Sequence, residues 1–164
     1  MKESNDPFHK LWSMIERHRF AMFATWEAPG VLRSRPMTLQ EREFDGYLWF
    51  FAKGDSAIVQ AIRNQPQVCL SFGNSAQAEF VAVAGSARVV TDVEQKKHLW
   101  NTPTQAWFPQ GPESADVVLF QVTPDHGEYW DSSSSKLVQL FSIAKAVAKS
   151  STPEELGEHQ TVTM

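Results

Sequence analysis

The sequence predicts a mainly β domain, an antiparallel barrel with flanking helices. About six or seven apolar segments of strand length follow one another, mostly joined by short turns. Helical patterns stand before, between and after these segments, without the regular alternation of a parallel βαβ sheet. The chain also contains neither a G-x-G-x-x-G motif nor a Walker loop. These observations favour the antiparallel class over a nucleotide-binding α/β fold.

The length of 164 residues and the hydrophobic fraction of 42% predict one globular domain, residues 1–149, followed by a polar tail, residues 150–164.

The net charge of −4 and the pI near 5.7 argue against nucleic acid as a partner. Cys69 lies in the apolar run "VCLSF", where it is expected to be a small buried hydrophobe, and one cysteine fits a reducing cytoplasm. The polar start and the lack of a run of about 18 apolar residues predict neither export nor a membrane span.

The first element is a helix that begins at Asp6 and Pro7. The Asp6 carboxylate can accept from free backbone N–H groups, and the fixed φ of proline suits the first helical position. Apolar residues then recur with the i, i+3, i+4, i+7 spacing of one buried helical face: Phe8, Leu11, Trp12 and Ile15.

The strands begin with a hairpin. "FAMFATW" (20–26) and "VLRSRPMTLQ" (31–40) alternate like strands, and Pro29-Gly30 supplies the reversal. Further strands are predicted at 47–52, 67–73 and 79–90. Gly85, inside the last of these, is expected to mark a bulge or bend.

The second half contains shorter elements. "DVEQKKHLW" (92–100) predicts a helix capped by Asp92, and residues 103–113 are expected to form a proline-punctuated excursion. Closing strands are predicted at 116–124 and 127–131. A final helix is predicted at 136–149.

The junction "AKGDS" (52–56) links a strand to a short helix and is a candidate anion site. Asp55 or Ser56 is expected to cap the helix, and Pro66 to end it. A helix start with free N–H groups and a nearby Lys53 can also hold a phosphate. An ordinary cap remains the alternative, because the charge of Asp55 competes with an anion.

"RSRPM" (33–37) supplies a matching positive charge. Arg33 and Arg35 are two apart on a strand and so project from one face, and guanidinium groups can hold two phosphate oxygens at once. Pro36 cannot donate a ladder hydrogen bond, which favours an edge or bulged strand. A solvated face is the alternative.

The order of these segments resembles the bacterial general stress protein branch of the pyridoxamine phosphate oxidase-like, FMN-binding split-barrel superfamily. The resemblance runs over roughly residues 7 to 147 and rests on segment order and spacing. It is carried by "RSRPM", "DGYLWFFAKGDSAIVQAIRNQPQVCLSF", "FVAVAGSARVV", "LWNTPTQAWFPQGPES", "VVLFQVTPDHGEYWD" and "KLVQLF". The resemblance implies a six-stranded split barrel that forms a homodimer with two flavin sites at the interface.

The resemblance also implies a role for individual residues. Arg35 would bind the FMN phosphate, with Ser56, Ala57 and the start of their helix completing that pocket. The reactive edge of the isoalloxazine would be lined by the backbone of Pro36, Met37 and Thr38. The ring and ribityl chain would be flanked by Phe51, Ala52 and Lys53. Two aromatic residues would reach the flavin across the dimer interface: Trp107 and Trp130.

The chain departs from the oxidase pattern in ways that weaken phosphate binding and remove the substrate contacts. Ala57 and Ile58 follow Ser56 where the oxidases carry Arg-Lys. Gln40 replaces a Lys, and Phe80 replaces a Gln. The Arg-x-His-x-Arg pattern after the closing Trp is replaced by Lys136, Val138 and Leu140. Oxidation of pyridoxamine phosphate is therefore rejected as the activity.

The expected function is that of a cytoplasmic, FMN-binding general stress protein, a flavin-dependent oxidoreductase whose small-molecule donor or acceptor is unidentified. FAD is left open as the cofactor. No residue is assigned a catalytic role, and the scattered histidines predict no metal site. One alternative is a protein that binds or senses flavin without catalysis; another is an interaction module that binds haem or no cofactor.

Overall fold

The computed structural model of the protein describes residues 6–40, 43–132, 143, 147 and 157–164. The helices are α1 (Pro7–His18), α2 (Ala57–Asn64), α3 (Val93–Leu99) and α4 (Thr102–Trp107). The strands are β1 (Phe20–Ala28), β2 (Val31–Thr38), β3 (Leu48–Lys53), β4 (Gln67–Asn74), β5 (Glu79–Val90), β6 (Val117–Asp131) and β7 (Glu158–Thr163). The final helix predicted at 136–149 lies outside the described residues except for Ile143 and Val147, which are helical. Within the described ranges, every helix is too short or too polar to cross a lipid bilayer.

Helix α1 follows the sequence prediction. The Asp6 carboxylate accepts from the backbone N–H of Phe8 at 3.1 Å, and Leu11 and Ile15 are buried against the sheet. Arg19 ends the helix in a left-handed conformation, with φ of 50°. The predicted capping residue and the predicted apolar face are both confirmed.

The strands form an antiparallel sheet in the order β2-β1-β4-β5-β6-β3, with β7 also paired to β6. Strand β6 pairs with β5 along one edge. Its other edge pairs first with β3, at Val117–Val122, and then with β7, at His126–Asp131. The predicted class, mainly β and antiparallel with flanking helices, is confirmed. The six-stranded split barrel implied by the resemblance is corrected, because the sheet has seven strands in the described part of the chain and its pairing from β2 to β3 is not closed.

A bulge explains why β6 is one strand and not the predicted pair at 116–124 and 127–131. The register of β5 and β6 shifts between Ala84 and Gly85, which pair with His126 and Pro124, so Asp125 is accommodated without ending the strand. Gly85 is required there, because an added Cβ would lie 2.2 Å from the backbone oxygen of Thr123. The predicted bulge at Gly85 is therefore confirmed.

Two other segments differ from expectation. The excursion predicted at 103–113 begins with helix α4, because the Asn101 side chain accepts from the backbone N–H of Thr104 at 2.9 Å and Pro103 fits the first turn. The polar tail predicted at 150–164 contributes strand β7 to the sheet.

The sheet separates two apolar clusters. The main core packs α1 and α2 against one face, with Phe23, Phe50 and Phe120 fully buried. A second cluster lies on the other face of β3 and β6, beneath α3 and α4. Strand β3 is consequently buried on both faces, from Leu48 to Ala52.

Candidate functional site

Arg35 lies on β2 in a half-buried environment of polar groups. Its Nη1 donates to the Thr25 hydroxyl at 3.0 Å, and its Nη2 pairs with the Glu27 carboxylate. Arg33 reaches the same carboxylate at 3.4 Å, so the prediction that both arginines project from one face is confirmed. The Arg33 side chain is 62% exposed and that of Arg35 is 20% exposed. Arg35 is therefore the better placed of the two to hold an anion away from bulk water.

The opposite face of β2 is apolar and open. Pro36 pairs with Met22 and Thr38 pairs with Phe20 across the β1–β2 ladder. Met22 is 46% exposed and Phe20 is 68% exposed, although both are large hydrophobic residues. Among the described strands β2 pairs only with β1, so its second edge can meet a ligand. Met37 faces the same side as Arg35 and packs against the main core.

The start of α2 lacks the expected side-chain cap. Ser56 is the N-cap residue, but its hydroxyl donates to the backbone oxygen of Lys53 at 2.5 Å and makes no cap bond. Asp55 is exposed and the first turn contains no acidic residue. The prediction that Asp55 or Ser56 caps the helix is confirmed in position, since Ser56 is the N-cap residue, but the expected side-chain bond to the helix start is not formed. The positive end of the helix, at Ala57 and Ile58, is therefore left without a carboxylate or hydroxyl acceptor in the described chain.

The side chains of Phe51 and Ala52 point to opposite faces of the sheet. The Phe51 ring packs on Trp100, with centroids 5.1 Å apart and planes at 82°, and on Phe108. Ala52 belongs to the main core, and Lys53 is exposed. Because both side chains are already packed, only the backbone of Phe51 and Ala52 could line a ligand.

Trp107 ends α4 and is 80% exposed. The start of α4 is tied to the end of β2 by Gln40. The Gln40 amide donates to the backbone oxygen of Thr38 at 2.8 Å, and its oxygen accepts from the Asn101 amide at 2.9 Å. The backbone at the predicted flavin edge and the helix that carries Trp107 are thus linked.

Trp130 is half-buried on β6 and stacks on His159 of β7. The two rings are 5.0 Å apart with planes at 5°, and His159 Nε2 lies 2.6 Å from the Glu128 carboxylate. Within the described chain one face of the indole of Trp130 is therefore covered by strand β7.

The prediction that Cys69 is buried is wrong. Cys69 is exposed on β4, and its partial desolvation raises the pKa of the thiol.

The structure brings some predicted residues together and leaves others apart. Arg35 bonds to β1 through Thr25, and α2 packs against β1, yet within the described chain no hydrogen bond or ion pair joins Arg35 to Ser56. Their shared phosphate pocket stays a prediction. Sequence reasoning missed Glu27, because the predicted strand ended at residue 26, whereas β1 continues to Ala28 and carries Glu27 on its irregular position. It also missed β7, whose pairing depends on tertiary contacts.

Comparison with known proteins identifies the family of this chain. Residues 6–154 match the family described as "Pyridoxamine 5'-phosphate oxidase like". The chain belongs to this family. The family predicted from segment order is confirmed. The positions that replace the oxidase substrate residues, 136–140, lie outside the described chain.

Two solved structures and one curated protein are similar to this chain over most of its length. A general stress protein 26 candidate from Jannaschia sp. CCS1 is 26% identical, with a TM-score of 0.74 over 96% of this chain and 98% of that chain. A general stress FMN/FAD binding protein from Xanthomonas citri is 29% identical, with a TM-score of 0.67 over 77% of this chain and 89% of that one. Protein bli-3 of Neurospora crassa is 27% identical over 160 residues, 90% of this chain and 77% of that protein.

The described residues fit a flavin in three respects and oppose it in one. A half-buried guanidinium suits a phosphate, an exposed apolar surface beside an edge strand suits a planar ring, and the uncapped start of α2 suits an anion. The charge of Glu27 beside Arg35 opposes the phosphate.

Proposed function

We propose that this chain binds FMN, with FAD as the alternative cofactor, in two sites between the copies of a cytoplasmic homodimer. Arg35 carries the proposal: it is a half-buried guanidinium on an edge strand whose other face is apolar and open. The relationship to a general stress FMN/FAD binding protein supports the same cofactor.

Different residues would bind different parts of the cofactor. Arg35 and the start of α2, at Ser56 and Ala57, would hold the phosphate. The backbone of Pro36 to Thr38 would face the ring edge, and that of Phe51 to Lys53 would follow the ribityl chain. A bound flavin would supply electron transfer, and the protein would orient it and exclude water.

Exposed aromatic and aliphatic side chains support the homodimer. Phe20, Met22, Phe80 and Trp107 are each between 45% and 80% exposed. Large exposed apolar groups of this kind are typical of surfaces that a ligand or a second chain covers. In the dimer, Trp107 and Trp130 would approach the flavin.

Oxidoreductase activity on a small molecule is the leading function, and flavin binding without catalysis is the second candidate. The residues paired with Pro36 and Thr38 are Met22 and Phe20, neither of which can transfer a proton. Because neither ladder position opposite Pro36 and Thr38 carries a titratable side chain, flavin binding without catalysis is the second candidate function. Rapid mixing of the flavin complex with NADH or NADPH without oxygen separates the two: reduction on a turnover timescale supports the enzyme, and its absence with both donors supports the binding protein.

Arg35→Ala tests the cofactor site. The lost charge-assisted bonds should weaken FMN about 10- to 100-fold, because hydrogen bonds to charged groups contribute about 1.5–3 kcal/mol. Riboflavin has no phosphate and should change little. Arg63→Ala, on the exposed last turn of α2, is the matched control. Equal losses for both ligands would contradict the role of Arg35, and a wild-type protein that binds neither would refute the flavin proposal.

A further inference from the structure

Glu27 lies between the two arginines of β2. Its carboxylate pairs with Arg35 and lies 3.4 Å from Arg33, and its side chain is only 19% exposed. The register of β1 and β2 shifts between Trp26 and Ala28, so Glu27 occupies the irregular position of the hairpin. Arg33 and Arg35, which the sequence predicted to bind an anion, therefore already have the Glu27 carboxylate of the same chain beside them.

Carboxylate and phosphate oxygens compete for the same donors. Arg35 gives Nη1 to the Thr25 hydroxyl and Nη2 to Glu27. A ligand phosphate that takes Nη2 has to displace Glu27 or lie beside its negative charge, and a low-dielectric, half-buried site strengthens that repulsion. With Glu27 present, the cluster of Arg33, Arg35 and Glu27 has a net charge of one positive unit instead of two.

We propose that Glu27 determines the ligand preference of this site by opposing the phosphate, so that the chain distinguishes poorly between FMN and riboflavin. The inference deepens the proposed function and rests on it. A carboxylate that only oriented Arg35 would favour phosphate binding, so the two roles predict changes of opposite sign when the charge is removed.

Glu27→Gln tests the sign, since glutamine keeps the shape and an acceptor oxygen but removes the charge. Titration of the full-length apoprotein, followed by flavin fluorescence, should show FMN affinity about tenfold higher than wild type, with riboflavin affinity unchanged. Glu94→Gln, on the exposed face of α3, is the control and should change neither ligand. Unchanged or weaker FMN binding by Glu27→Gln, or an equal gain for riboflavin, would overturn the proposal.

Inorganic phosphate gives a second measurement that needs no flavin. The melting temperature of Glu27→Gln should rise more in phosphate than in chloride of equal ionic strength, and by more than that of wild type, because binding to the native state stabilises it. Equal phosphate effects on both proteins would overturn the role of Glu27. If neither protein binds flavin but phosphate stabilises the variant more, the flavin proposal fails and the flavin preference assigned to Glu27 fails with it, while the opposition of Glu27 to a phosphate at Arg35 is supported.

Discussion

Gln40 connects the end of β2 to helix α4, and its removal should loosen both. Its amide donates to the backbone oxygen of Thr38 at 2.8 Å. Its oxygen accepts from Asn101 at 2.9 Å and lies 3.1 Å from the Thr104 hydroxyl. In Gln40→Ala all these contacts are lost, while the backbone bond from Gln40 to Trp49 is retained.

The expected loss of stability follows from the number of bonds. The Thr104 hydroxyl has one proton and also lies 2.9 Å from the Asn101 oxygen, so it can donate to only one of them. Two full bonds at about 0.5–1.5 kcal/mol each give a loss of about 2 kcal/mol. For a domain of this size the melting temperature should fall by about 4–8 °C.

Thermal unfolding followed by circular dichroism measures the effect. Gln60→Ala, at an exposed position of α2, is the control and should remain close to wild type. The tryptophan emission of Gln40→Ala should also change, because the helix that carries Trp107 loses its anchor. Gln40→Ala melting together with the control, and with unchanged emission, would refute the reasoning.

Three further predictions concern the bulge at Gly85 and the contact between Tyr129 of β6 and Glu158 of β7. Gly85→Ala should cost about 3 kcal/mol in urea unfolding, because the added Cβ meets the backbone oxygen of Thr123; a cost below about 1 kcal/mol would contradict the fixed bulge. Bonds from Lys10 and Tyr129 lower the pKa of Glu158, so the stability difference between wild type and Glu158→Gln should hold near neutral pH and disappear as the pH falls below the usual range of a glutamate. The pKa of Tyr129 is raised to about 12, with burial as the largest cause, so its contribution should be lost as the pH rises from about 10 through that value. A pH-independent difference across the acid range would contradict the assigned contact.

Local chemistry made much of the fold predictable. Helix α1 follows from Asp6, Pro7 and one apolar face, and β5 begins and ends where its alternation does. The division of β6 at its Pro124 was wrong because the bulge beside Gly85 absorbs the irregularity. Strand β7 was missed because six polar-rich residues form a strand only where the free edge of β6 receives them.

The positively charged residues of the candidate site could be predicted from the sequence. The groups that they contact could be predicted less well. Alternation along β2 placed Arg33 and Arg35 on one face, as the structure shows. Glu27 was missed, because it lies beyond the predicted end of the strand and occupies the irregular position of the β1–β2 ladder, between Trp26 and Ala28. The stacking of Trp130 on His159 joins residues 29 positions apart in the chain and has no local signal.

The central claim is that the guanidinium of Arg35 binds the phosphate of a flavin whose ring lies along the open edge of β2. A crystal structure of the protein grown with FMN tests it most directly. We expect the phosphate within hydrogen-bond distance of Arg35, Glu27 turned away from it, and the ring edge against Pro36 to Thr38 between two copies of the chain. A flavin bound elsewhere, with Arg35 still paired to Glu27, would contradict the claim.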